Sequence, residues 1–233
     1  MHRLKLLGVL IGALFALGAM AVSASAFTLP DISIALGGTY PLHFDGSPTI
    51  TKPATTLSTA GGSVLTGTGV SLLLLTTELS ALGTFSSTFL EVTHGTTEKC
   101  HSVGDATGVV LVGGEFHIVL GPGGTKKLLY ILFLVTTLEI ICAALNIEVR
   151  GDTLGTFAVP GEVETEDYET ATGRLEGEKG KPKFSEYFND GGTIVKTKLE
   201  SEFGSGFLAS DENVEGEFIL TTLNSQMYTV TGR

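Results

Sequence analysis

LLYILFLVTTLEIICAAL, Leu128 to Leu145, is the most apolar run of the chain after its first 26 residues, and its reading decides the fold. From Leu128 to Ile147 the run has the roughly 20 residues that a membrane-spanning helix requires. Three features oppose a helix. Glu139 lies near the middle, where an acid costs about 2.5–3.5 kcal/mol on insertion scales, and Asn146 lies near the end. In an exported chain Lys126 and Lys127 would fall on the non-cytoplasmic side, against the positive-inside tendency. Val135, Thr136, Thr137, Ile140 and Ile141 are β-branched, and the alternating segment LNIEVR follows at once. The run is therefore read as two buried strands, or one long bent strand carrying Cys142, inside a soluble fold. A membrane anchor through residues 128–147 is the alternative.

The same strand grammar extends in both directions. In LNIEVR, Leu145, Ile147 and Val149 point one way while Asn146, Glu148 and Arg150 point the other. Short runs of Val, Ile and Leu recur at VSLLLL, TFLEVTH, TIVKTKLESEF, EGEFILTTL and QMYTVTG, each bounded by Gly, Pro, Asn or Asp. GVVLVGGEFHIVLG, from Gly108, reads as two strands joined by a hairpin turn at Gly113-Gly114. The expected fold is all-β: an antiparallel β-sandwich of jelly-roll type, with a closed β-barrel as the alternative. Two stretches break the pattern. Residues 161–183 are charged and glycine-rich and read as an acidic exposed loop, and Ser47 to Gly69 reads as loop with one weak strand.

At the N-terminus, Arg3 and Lys5 precede an apolar run from Leu6 to Val22 and the small residues Ala24-Ser25-Ala26. This pattern is that of a cleavable signal peptide over residues 1–26, leaving residues 27–233 as a single all-β domain; a retained anchor is the competing reading. The formal charge of −11 becomes two units more negative without the leader. Such a chain repels nucleic acid and anionic lipid surfaces, so neither is expected as a partner. The remaining partner expectation is an unidentified envelope or extracellular one, with no integral insertion after leader removal. The chain has two cysteines, Cys100 and Cys142, and in an oxidising compartment an even pair reads as one disulfide, with two separate buried thiols as the alternative.

Chemistry-bearing motifs are few. GPGGTKK at Gly121 lacks the spacing of a phosphate-binding loop and reads as a turn, and FGSGF at Phe203 has phenylalanine where a nucleophile elbow needs glycine. His101 and Asp105, beside Cys100, could converge with Glu115 and His117 from a neighbouring strand as a metal or acid/base site. Solvated residues on an outer sheet face are the plainer reading of the four, so no catalytic residue, metal ligand or cofactor is assigned. The carboxylates between Glu162 and Glu178 lack both a rigid frame and the ligand order of a calcium loop.

KCHSVGDATGVVLVGGEFHIVL, followed after a spacer by LEIICAALNIEVRGDTLGTF, resembles a group of uncharacterised secreted β-rich proteins of actinobacteria. The shared arrangement is a signal peptide, a Cys-x-Ser-x-Gly-Asp turn, two strands, an apolar segment ending in a second Cys, and a strand with a Gly turn. It covers Cys100 to Phe157, with looser similarity at Leu199. The resemblance implies export and a β-rich fold, and it carries no assigned function. The functional expectation is an exported, non-enzymatic envelope or extracellular domain with a structural or binding role. A secreted hydrolase or metal-dependent enzyme is the first alternative, and a membrane-anchored envelope protein the second.

Overall fold

Alternation of side-chain size and polarity sets the strands. In LHFDGSP the positions Leu42, Phe44 and Gly46 are buried, while Asp45 and Ser47 are exposed and His43 lies half-buried on their face. The computed structural model describes residues 30–34, 40–49, 54–58, 64–76, 82–122, 128–143, 145–158, 169–178, 181–202, 207–208, 213–223 and 228–231. The leader expected at residues 1–26 lies outside them, as do residues 123–127 of the expected turn and the glycine segment at 203–206.

Strands in chain order are β1 (Asp31–Ile34), β2 (Leu42–Pro48), β3 (Ala54–Ser58), β4 (Val64–Thr76), β5 (Leu82–His94), β6 (Glu98–Lys99), β7 (His101–Ser102), β8 (Val110–Gly121), β9 (Leu128–Cys142) and β10 (Leu145–Ala158). They continue with β11 (Thr170–Leu175), β12 (Gly177–Glu178), β13 (Lys181–Pro182), β14 (Glu186–Phe188), β15 (Ile194–Lys196), β16 (Leu199–Glu202), β17 (Phe207–Leu208), β18 (Asn213–Thr222) and β19 (Tyr228–Thr231). The protein is all-β and its ladders are antiparallel. The main sheet closes on itself: β2 pairs with β4, then β5, β8, β9, β10, β11 and β18 follow, and β18 returns to β2. β3 extends the slot that β2 occupies between β4 and β18, and β16 continues along β10 beyond the reach of β11.

The apolar run is β9, one bent strand at the middle of this ring. Val149 pairs with Leu138 but Gly151 pairs with Val135, so Thr136 and Thr137 together oppose Arg150. This bulge moves the inward series from Leu129, Ile131, Phe133 and Val135 to Leu138, Ile140 and Cys142. Glu139 falls on the exposed outer face, opposite Glu148. An acid within an apolar run is thus accommodated by alternation and not by burial.

Inside the ring the apolar side chains form two clusters. One is built on Phe44, Phe85, Phe116, Ile131, Phe133, Phe157, Phe218 and Leu220, and Tyr228 and Val230 enter it from the separate β1–β19 ladder. The Tyr228 ring meets Phe44 edge-on at 4.9 Å, and its hydroxyl donates to the Thr170 carbonyl at 3.1 Å. The second cluster contains Leu65, Val92, Val110, Ile140, Ile147, Val149 and Leu199 together with Cys100 and Cys142. Those cysteines form a disulfide between facing positions of neighbouring strands, with Cα atoms 4.3 Å apart.

Three local readings need correction. Gly113-Gly114 is not a turn, because β8 runs unbroken from Val110 to Gly121; Gly114 permits close approach of the neighbouring strand β9, since a Cβ there would lie 2.0 Å from the Leu134 carbonyl oxygen. Within the stretch read as an acidic loop, Thr170–Leu175 is ring strand β11, with Ala171 and Gly173 buried and Thr172 and Arg174 on the other face. Its alternation is hidden in the sequence because the inward residues are small. The stretch from Ser47 to Gly69 likewise holds β3 and the first part of β4, where a single weak strand was expected.

Candidate functional site

The most distinctive feature of the interior is a space that side chains leave unfilled. Between the two core clusters lies a partly open cavity of about 120 Å³ whose surface is almost wholly apolar. Phe89, Val112 and Val135 pack against both clusters and line it. The cause can be followed along the strands. The inward series of β5 is Phe85, Ser87, Phe89, so one small residue stands between two aromatic ones, and Gly67 on β4 and Thr153 on β10 are small inward residues bordering the same space. An eight-strand ring is just wide enough to be filled by side chains, and these small residues leave it unfilled at this level. No ionisable side chain lines the cavity among the described residues.

The polar residues singled out from the sequence fall into two separate places. His101 begins β7 and pairs with Ile141 of β9, whereas His117 on β8 pairs with Leu132 of β9 and Glu115 with Leu134. The two histidine partners lie nine positions apart along β9, about 30 Å at strand spacing. The four residues therefore do not meet in one site, and no group of three or more metal-binding side chains occurs among the described residues.

His101 and Asp105 belong to a turn whose bonds explain its sequence. The Ser102 hydroxyl donates to Asp105 Oδ2 at 2.5 Å and accepts from the Leu111 amide at 2.9 Å, while the Asp105 amide donates to the Ser102 carbonyl at 3.0 Å. Gly104 supplies a φ of +88°, which a side chain resists. Cys-x-Ser-x-Gly-Asp is thus a turn tied down by a disulfide at its first residue. His101 Nδ1 is buried with no hydrogen-bond partner among the described residues.

Glu115 and His117 lie on the outer face, beside a strap that sequence reasoning missed. Residues 181–198 carry Phe184 and Tyr187 over Tyr130, Leu132 and Leu154, a third apolar cluster outside the ring. Burial at its edge lowers the His117 pKa below the usual histidine value, with Glu115 and Asp190 acting in the opposite sense. Burial raises the Asp152 carboxyl, although it accepts the Lys198 amide at 2.5 Å. The tyrosine hydroxyl of Tyr187 is raised by burial and by the charges of Asp152 and Asp190. The signal available in sequence was the outward pair Tyr130 and Leu132, apolar on a face that elsewhere carries Thr136, Thr137 and Glu139.

Comparison with protein-family models, curated proteins and solved structures finds no match to this chain.

Proposed function

We propose that this chain is an exported, non-enzymatic envelope or extracellular domain whose role is binding, with the interior cavity as the place of binding. The observation that carries the reading is the cavity itself: a closed ring of strands leaves an apolar space at one level while packing the levels on either side. The disulfide joins the wall next to that space, as suits a protein that works in an oxidising compartment. The separation of His101 and Asp105 from Glu115 and His117 gives the hydrolase alternative no assembled site to act through.

A reading without membrane insertion draws on the same strands. No helix among the described residues is long and apolar enough to cross a membrane. On β9 and β10 the outward positions Thr136, Thr137, Glu139, Glu148 and Arg150 are polar where lipid contact would call for apolar residues, and the outward apolar Tyr130, Leu132 and Leu154 are covered by Phe184 and Tyr187. The test combines fractionation with extraction. Cells expressing the full chain should yield a form beginning near Phe27 that salt or carbonate washes release. Native mass spectrometry of that form should show a noncovalent adduct lost on denaturation. A product that only detergent releases would overturn the compartment, and absence of any adduct after exposure to cell extract would overturn the binding role.

A further inference from the structure

From the chemistry of the cavity wall we infer its ligand class: a small, uncharged, hydrocarbon-like molecule, or the apolar end of one, of about the size of a single aromatic ring. This rests on the binding role proposed above and adds what is bound. The size follows from volume. An apolar cavity of about 150 Å³ admits benzene, and pockets for drug-sized ligands begin near 300 Å³. At about 120 Å³ the space holds one ring or a chain of roughly five or six carbons.

The charge preference follows from what the wall lacks and how its few polar residues are turned. Ser87, Thr55 and Thr153 are the hydroxyl-bearing residues of the wall among the described residues, and each is buried. Yet the cavity surface exposes almost no oxygen or nitrogen, so these residues present their carbon atoms to the space. A Cβ built on Gly216 would lie 2.9 Å from Thr55 Oγ1, which places that hydroxyl toward the β18 backbone. A carboxylate or ammonium carried inside would lose its hydration with no opposite charge to receive it. Because the cavity is partly open, a polar head can remain at the mouth while an apolar tail enters. A carboxylate at that apolar rim would still lose part of its hydration with no opposite charge beside it, a cost that a neutral hydroxyl largely escapes.

The experiment uses the full processed chain with benzene, hexan-1-ol and hexanoate as probes at pH 7, followed by methyl NMR shifts of Val112, Val135 and Leu138. Benzene and hexan-1-ol should give saturable shifts at these methyls, and hexanoate should bind at least tenfold more weakly. Ser87→Leu, which fills the space from β5, should weaken benzene binding at least tenfold, and Thr153→Leu does the same from β10 if the first variant does not fold. Hexanoate binding within threefold of hexan-1-ol would overturn the ligand class and leave the binding role standing. Shifts that persist unchanged in a folded cavity-filling variant would overturn the location. If none of the three probes binds, the ligand class and the binding role fall together.

Discussion

Removing the disulfide should produce the largest single loss of stability that can be calculated for this fold. Cys100 and Cys142 are 42 residues apart in sequence, and cross-linking a loop of that length lowers the unfolded-chain entropy by an amount worth about 4 kcal/mol at 25 °C. Both cysteines are buried among Val92, Val110 and Ile140, so alanine at each position also leaves a small void, adding on the order of 1 kcal/mol. The total approaches the lower end of the 5–15 kcal/mol that holds a typical domain folded. With a urea m-value of about 2.5 kcal/mol per molar, the midpoint of Cys100→Ala/Cys142→Ala should fall by about 2 M. The m-value itself should rise, since an unlinked unfolded chain exposes more surface. Equilibrium unfolding followed by circular dichroism measures both quantities, with reduced and alkylated wild type as a parallel sample. A midpoint shift below about 0.5 M would refute the reasoning, because the hydrogen bonds of the Ser102–Asp105 turn would then hold the wall unaided.

Three further outcomes follow from named positions. Gly114→Ala puts a Cβ 2.0 Å from the Leu134 carbonyl oxygen and should cost about 3 kcal/mol, while Gly113→Ala, 3.5 Å from its nearest neighbour, should stay within about 0.5 kcal/mol; equal midpoints would show that β8 and β9 do not approach closely there. Glu148 pairs across the ladder with both Glu139 and Glu202, so Glu148→Lys should raise stability by about 1 kcal/mol in low salt and less in 1 M salt. A salt-independent effect would exclude charge repulsion as its cause. The strap predicts two opposite pH responses. The folded His117 titrates below 6.5, so the unfolded chain binds the extra proton in that window and stability should fall as pH drops through it; Asp152 titrates above 3.8, so its penalty is complete at pH 7 and is relieved as pH falls through its folded value. Asp152→Asn keeps the acceptor for Lys198 and should be more stable than wild type at pH 7, with the difference closing toward pH 4, as paired urea titrations would show; NMR titration of His117 gives the other sign directly.

The legible part of this structure was whatever repeats along one strand. LNIEVR, EGEFILTTL and the apolar run all state their strands through β-branched residues and alternation, and the cysteine pair states its own link. Less legible were strands whose inward residues are small. TATGRL forms β11 with Ala171 and Gly173 facing the core, and composition alone makes it look like loop. The double glycine in GVVLVGGEFHIVL has the look of a turn because the sequence cannot show how closely the neighbouring strand β9 approaches there. The cavity was invisible for another reason: it is missing volume contributed jointly by β4, β5 and β10, and only the step from Phe85 through Ser87 to Phe89 hints at it. In sequence His101 and His117 lie on segments that read as neighbours in the sheet; in the fold β7 and β8 both pair with β9, and its register alone reveals how far apart along it they sit.

Closure of the ring sets the order in which this chain can fold. β4, β5, β8, β9, β10 and β11 pair with successive neighbours, so most of the ring can assemble from local hairpins as the polypeptide emerges. The gap between β11 and β2 waits for β18, where Thr222 pairs with Phe44 from near the opposite end of the chain. That contact closes a very long loop and belongs to the slow part of folding. Until it forms, β11 and β2 present unpaired edges that another chain could join. Truncation before β18 should therefore promote aggregation, and the interval between synthesis of β11 and arrival of β18 is when the protein most needs protection from its own copies.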